Sequence, residues 1–459
     1  MSSEPAPEDT LLFWPRERVR ALQDRLLRET IVLCWEGHPY YGRLLRECGL
    51  TPADFQTTAD LVKLPITTKH QFLADPEAFR LRVPAGAPLE AQVLWEVMYT
   101  TGTTSGQPAP IYTTTWDHYA YLVHARRCAT ILGLSERDVV ANVFPLAPFP
   151  LGAYVRSAHQ AAAAGAAIIT INPGRPSPHF PVHRSLDDAV RLVAVHRATL
   201  IWGIASFVRR LLLRARELGA DFSSLRGVSV TGEAVSPALR EELRRLLREL
   251  GSQEAVVLNR YGSTEMGSML ECVPGSGWHN PSPDQFFYEV VDPERGTRLG
   301  NGEVGLLLAT HLQRRGTVLL RYALGDLVAL TEEVCPHCGR TSERVISQPV
   351  RTKELVKIKG TLVNLEALRE ALEGVPALEE YQIVVQKSDP ADPFSLDELL
   401  LRLAAPPEQQ EAVAAAVSAR TLALIHLRPR VEFVPRDVLF DPAVNVKAQR
   451  ILDRRPPTE

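Results

Sequence analysis

The chain has 459 residues, 45% hydrophobic and 23% charged, with a formal net charge of -3. That length exceeds one simple core and predicts two or three packed units of an ordinary globular protein. The balanced charge excludes the basic stripe of a nucleic-acid binder, and the longest nearly apolar run, Ala161 to Ile171, is about half of what a membrane span needs.

Met1 to Pro5 show no basic region leading into an apolar run, so no secretory signal is visible and a cytoplasmic location is expected. Leucines at helical spacing predict a helix over 17–30, and the pattern repeats over 40–50 before the Thr51-Pro52 turn. From about Ala91 the texture changes to alternating strands and helices. Its clearest unit starts with the strand Val228-Ser229-Val230 and turns through Thr231 to Ala234. It enters a helix at the N-cap Ser236 and first-turn Pro237. Leu239, Leu243, Leu246, Leu247 and Leu250 share one face of that helix, and Ala255 to Leu258 reads as the next buried strand. Strand, crossover helix and strand imply a parallel sheet, whose ligands sit at the carboxyl ends of strands. Past Gly296, runs at 304–309 and 318–322 read as hairpin strands. From Arg351 onward a strand (355–358), a helix (365–372), a strand (381–385), a helix (408–423) and a strand (431–434) make a small α+β unit. The boundary is expected near residue 350, giving domains 1–350 and 351–459.

Five short motifs punctuate this frame. Thr100-Thr101-Gly102-Thr103-Thr104-Ser105-Gly106-Gln107-Pro108 is rich in glycine and hydroxyls, so its N–H groups and side chains can wrap phosphates, although it lacks the lysine of a Walker loop. Tyr261-Gly262-Ser263-Thr264-Glu265 sets a carboxylate where it can hold a magnesium, with Thr264 placed to donate to the same phosphates. In Arg321 to Asp326, Asp326 can accept from both ribose hydroxyls. Arg351-Thr352-Lys353 and Lys447 complete the series. Each also reads as ordinary structure: a surface turn, an acid at a helix N-terminus, a Gly-Asp turn, a linker charge, a surface lysine. Their order is what lifts them together. Lysine is rare here, at only seven of 51 basic positions (63, 69, 353, 357, 359, 387 and 447), so its use at 353 and 447 favours a compact ammonium over a guanidinium.

Cys34, Cys48 and Cys128 lie in apolar helical stretches and read as buried free thiols. Cys335-Pro336-His337-Cys338 has the spacing of half a zinc site, with Cys272 and His279 available as the second half and His337 as the competing histidine. The expected Zn²⁺ is structural.

With His38-Pro39-Tyr40-Tyr41, Leu64 to Lys69, Glu271-Cys272, Gly277-Trp278-His279, Cys338 to Thr341 and Val446 to Asp453, the chain resembles the phenylacetate-coenzyme A ligase family of the adenylate-forming superfamily. The likeness spans nearly the whole length. It implies an α/β fold: a large N-terminal domain with parallel-containing sheets and helices, plus a small mobile α+β C-terminal domain. By the resemblance, Thr101, Gly102, Thr103, Thr104, Ser105 and Gly106 wrap the ATP phosphates, Gly232, Glu233 and Ala234 border the adenine, Tyr261 stacks on it, and Gly262 belongs to the same ATP-binding set. Thr264 and Glu265 manage phosphate and Mg²⁺, Asp326 and Arg351 hold the ribose, and Lys353 is the hinge. Lys447 bridges the ribose oxygen and the attacking carboxylate. Phe144, Phe149, Trp202 and Ile204 fall in the regions that line the acyl pocket. Two departures stand out: Gln107 replaces the usual loop lysine, and Ser105 makes the loop one residue longer.

The expected activity is ATP-dependent ligation of an aryl or arylacetic monocarboxylate to coenzyme A through acyl-AMP. The partners are then the small-molecule acid, ATP and CoA, with a homodimer left open. An acyl-AMP-forming enzyme that delivers to a carrier protein or an amine is the enzymatic rival. A nucleotide-binding regulator that has lost catalysis is the rival of another class, motivated by Gln107.

Overall fold

The computed structural model describes residues 7–100, 108–145, 152–174, 183–233, 235–351, 355–358, 361–389, 395–425, 427–442 and 448–455. In chain order come α1 (Arg16–Gly37), α2 (Pro39–Glu47), α3 (Lys69–Ala74), α4 (Leu89–Gln92), β1 (Leu94–Tyr99), β2 (Pro110–Thr114) and α5 (Thr115–Ile131). An alternating series follows: β3 (Val139–Asn142), α6 (Gly152–Ala163), β4 (Ala167–Thr170), α7 (Leu186–Val195), β5 (Leu200–Ile204), α8 (Ala205–Glu217), β6 (Gly227–Thr231), α9 (Pro237–Glu249) and β7 (Val256–Ser263). Then strands dominate: β8 (Gly267–Leu270), β9 (Trp278–His279), β10 (Phe286–Val291), β11 (Val304–His311), β12 (Tyr322–Thr331), β13 (Arg344–Val345) and β14 (Val350–Arg351). The last stretch holds β15 (Leu355–Ile358), β16 (Thr361–Asn364), α10 (Leu365–Glu373), β17 (Glu380–Lys387), β18 (Asp397–Ala404), α11 (Gln410–Ile425), β19 (Arg430–Phe433), α12 (Arg436–Leu439) and β20 (Ile451–Asp453).

One 12-stranded sheet carries most of the chain. Its half β4-β3-β5-β6-β7 is parallel, built by crossover helices from strands that are apolar on both faces. At β7 the sheet changes hand: β7 pairs parallel with β6 and antiparallel with β8, and β9, β13, β12, β11 and β10 continue antiparallel. The helix expected after Thr231 is α9, whose start is set as the sequence predicts. Ser236 Oγ accepts from Leu239 N at 3.1 Å and Pro237 takes the first turn. Leu239, Leu243, Leu246, Leu247 and Leu250 are all buried against the sheet, each stabilising the fold by roughly 1.5–3 kcal/mol.

A four-stranded sheet, β19-β18-β17-β20, forms separately near the C-terminus. Its core, from Val356 to Ile425, is a cluster distinct from that of the parallel half. The fold is therefore mixed α/β, a large sheet plus a small C-terminal one, as expected.

Three expectations need correction. Residues 318–322 are not a hairpin strand: Leu319 O still accepts from His311 N of β11 (2.8 Å), but other backbone groups are taken from outside the ladder. Tyr41 Oη accepts from Leu320 N (2.8 Å) and donates to Leu320 O (3.0 Å), while Phe79 O accepts from Val318 N (3.0 Å). Arg321, with φ of 45°, then breaks any strand, and its buried guanidinium bonds Glu289, Leu64 O and Gly296 O. The strand begins at Tyr322 instead. Second, β7 does not end before the Tyr261 motif but runs through it. Third, Cys48 is exposed at the end of α2, whereas Cys34 and Cys128 are buried thiols as expected.

The His38-Pro39-Tyr40-Tyr41 signature explains how the N-terminal helices attach. His38 Nδ1 accepts from Tyr41 N (3.0 Å) to cap α2, while its Nε2–H points at Phe79 O and Val318 O. Burial lowers the His38 pKa to about 4, so this bridge is neutral.

Candidate functional site

The change of hand at β7 makes a hairpin whose turn, Thr264 to Met266, presents Thr264 half-buried and Glu265 buried. No helix follows Glu265, so it is not an acid in the first turn of one. Gly262 is needed because the strands approach closely: a Cβ there would lie 2.1 Å from Gly267 O. His311 pins the turn from behind. Its Nδ1 accepts from Leu319 N (3.1 Å), so the proton sits on Nε2, which donates to Glu265 O at 2.7 Å. Desolvation lowers the His311 pKa to about 3 and keeps the ring neutral.

Beside this turn, Tyr261 Oη donates to Asp326 Oδ2 (2.7 Å) and Arg351 Nε pairs with Asp326 Oδ1 (2.9 Å). Asp326 lies inside β12, not in an isolated turn, with Gly325 at φ 80° just before it. It pairs in register with Arg351 of β14. Burial first, then the Asp326 charge, raise the Tyr261 pKa well above its ordinary value, so the phenol remains a donor. Three residues from distant motifs are thus one hydrogen-bonded chain.

Sequence reasoning missed Lys69, the first residue of α3, whose Nζ lies 3.9 Å from Glu265 Oε1. Its scarcity among basic residues was the available signal. Glu233 has a structural task as well: its carboxylate accepts from Ser206 N (2.9 Å) and Ser206 Oγ (2.8 Å), capping α8, whose own N-cap residue Ile204 offers no side-chain acceptor. Ala448 N donates to the same Ser206 Oγ at 3.3 Å, so the residue after Lys447 rests at the carboxyl ends of β5 and β6.

Phe144, Trp202 and Ile204 are buried in the core of the parallel half, and one face of the Trp202 indole is covered by the Arg260 guanidinium 4.1 Å away. Thr101 to Gly106, Gln107, Phe149, Ala234, Lys353 and Lys447 lie outside the described residues.

Cys272, His279, Cys335 and Cys338 come together with ligand atoms all within 4.8 Å of one another. Cys272 and Cys335 Sγ are 3.9 Å apart, too far for a disulfide, and Cys338 Sγ is 3.5 Å from His279 Nε2. Three thiols and one imidazole at these separations fit a tetrahedral metal with bonds of roughly 2.0–2.3 Å. His337 is not in the group. The pairs come from the ends of β8 and β9 and from the β12–β13 connection, elements joined by His279 pairing with Arg344.

A family model described as AMP-binding enzyme matches residues 49–313. The chain belongs to that family. The phenylacetate-coenzyme A ligase of Thermus thermophilus is 29% identical over 388 residues, covering 83% of this chain and 81% of that protein. The enzyme of the same name from Escherichia coli is 28% identical, covering 83% and 82%. Among solved structures, 2-hydroxyisobutyryl-CoA ligase in the postadenylation state, in complex with R3-HIB-AMP, aligns over 99% of this chain and 94% of that one, at 22% identity and a TM-score of 0.79. The same enzyme in the thioesterification state, with 2-HIB-AMP and CoA, covers 98% and 94% at 21% identity and a TM-score of 0.63. The family resemblance and the fold read from the motifs are both borne out. Among the described residues no helix is long and apolar enough to cross a membrane.

Proposed function

We propose that this protein is an ATP-dependent acid–thiol ligase that activates an aryl or arylacetic carboxylate as acyl-AMP and transfers it to coenzyme A. The observation that carries the reading is the bonded chain Tyr261–Asp326–Arg351 beside the Thr264-Glu265 turn, a ribose-sized set of polar groups next to a buried acid. Tyr261 stacks on the adenine bordered by Gly232 to Ala234, and Asp326 with Arg351 holds the ribose. Glu265 holds Mg²⁺, which supplies charge neutralisation at the phosphates; its one described ionic neighbour, Lys69 at 3.9 Å, leaves lone pairs free for a cation. Lys69 also offers a cation that Gln107 does not, while Thr101 to Gly106 wrap the phosphates. Lys447, next to the docked Ala448, bridges ribose and carboxylate as negative charge builds on the departing pyrophosphate.

The chain divides at about residue 350, and Lys353 is the hinge. Rotation of 351–459 withdraws Lys447 and closes a new face over the thiol. The docked Ala448 and the higher TM-score to a postadenylation state support an arrangement that precedes this rotation. Phe144, Trp202 and Ile204 form the apolar floor of the acid pocket. Zn²⁺ held by Cys272, His279, Cys335 and Cys338 is structural, since four protein ligands leave no open position.

The test is acid-dependent pyrophosphate release with a panel of aryl acids, with and without CoA. Sustained release only with CoA supports the ligase. Turnover only with a carrier protein or amine, or no release with any acid, refutes it.

A further inference from the structure

Against the face of Trp202 lies a polar layer that the adenylation machinery does not use. Arg260 is on the face of β7 opposite Tyr261 and is 6% exposed. Its Nε donates to Ser229 Oγ (2.7 Å), its Nη1 donates to Gln160 Oε1 (2.8 Å), and its plane covers Trp202. None of these neighbours is an anion, and its Nη2 has no hydrogen-bond partner among the described residues. A buried guanidinium facing only neutral groups is costly to keep.

Around it the same deficiency recurs. Tyr121 Oη, His118 Nδ1, His159 Nδ1 and Arg156 Nη1 are also buried without partners. They form one cluster: Arg156 lies 4.1 Å from the centre of the Tyr121 ring, Tyr121 is 5.6 Å from His159, and His159 is 5.4 Å from His118. Arg156 is neutralised by Glu96, so the surplus charge of the layer is that of Arg260. His124, 5.6 Å from Tyr121, packs against Gly267 of the Thr264-Glu265 hairpin, which places the layer next to the reacting end. A rise of about 3.3 Å per residue sets Arg260 roughly 10 Å along β7 from Ser263, where the Thr264 turn begins, a span of the order of one ring with its substituents.

We propose that the acid taken by this site carries a second carboxylate at its far end, and that Arg260 binds it with help from Tyr121. This rests on the acid-activating reading above and replaces its monocarboxylate with a dicarboxylate. The unpaired Nη2 and the Tyr121 hydroxyl donate to the second carboxylate, and Gln160 and Ser229 hold the guanidinium in place for it. Arg260 thus discriminates between acids and takes no part in the chemical step.

The test compares shape-matched pairs, phenylacetate with 4-carboxyphenylacetate, benzoate with terephthalate and hexanoate with adipate, by kcat/KM for pyrophosphate release. The full-length enzyme is expected to prefer the diacid of at least one pair by about tenfold or more. Arg260→Met should bring that ratio to one or below. Tyr121→Phe, which removes only a hydroxyl, should lower the same ratio and decides the matter if Arg260→Met does not fold. Monoacids used as well as or better than their diacids, or a ratio unmoved by both variants, overturns the proposal while leaving acid activation intact. No pyrophosphate from any acid overturns both.

Discussion

Two polar regions meet the carboxyl ends of the parallel strands, and they are built differently. The hairpin side, with Tyr261, Asp326, Arg351 and His311, is bonded within one continuous ladder: Asp326 is buried and pairs in register with Arg351. Among the described residues the seam with the C-terminal sheet shares no ladder and no core cluster with it. It is held by Arg209 to Glu379 O (2.6 Å), Ser236 to Glu373, and Arg210 to Asp437 (3.1 Å), whose carboxylate side is 69% exposed. The proposed function requires the first region to hold a nucleotide without reorganising and the second to open without unfolding either core.

That contrast can be broken most severely at Lys447. Lys447→Ala should slow adenylation by on the order of 10²–10³-fold or more, while supplied acyl-AMP still reacts with CoA. Adenylation near the wild-type rate, or equal loss of both steps in a folded variant, would overturn this role of Lys447. A smaller and opposite asymmetry is expected at the hinge. Lys353→Pro fixes φ and restricts Thr352, so single-turnover rates should show thioester formation slowed more than adenylation. On the rigid side, Tyr261→Phe leaves Asp326 Oδ2 without its donor and should raise the KM for ATP about tenfold, with little change in the CoA step. The smallest effect on turnover is expected at the metal. Cys272→Ser or Cys335→Ser should bring bound zinc, read by elemental analysis, below about half an equivalent and lower Tm by several degrees. Unchanged metal content and Tm in both variants would remove zinc from the account.

Local signals carried the parallel half. The Ser236 cap, Pro237 and a one-sided leucine stripe are determined within a few residues, and α9 forms where they predict. The C-x-x-C spacing likewise pointed to Cys272 and His279, which the strand pairing brings beside it. Long-range bonds were illegible. Nothing near Val318 to Tyr322 announces that Tyr41 and Phe79 will take its backbone groups, or that Arg321 will turn left-handed to reach Glu289 and Leu64. The Lys69–Glu265 approach joins the start of α3 to the turn between β7 and β8, elements far apart in the chain. Arg260 reads as an ordinary charge in a strand until its neighbours are known, and only then does its lack of an anion become evidence.

The division of acid activation and thiol transfer into separate steps on one enzyme underlies the proposed function. It is tested most directly by a single turnover with ATP, Mg²⁺ and an accepted acid in the absence of CoA, followed by a CoA chase. The expected result is about one equivalent each of pyrophosphate and enzyme-bound acyl-AMP, converted on the chase to acyl-CoA and AMP. Pyrophosphate release that requires CoA from the outset, or bound acyl-AMP that CoA does not discharge, would contradict it.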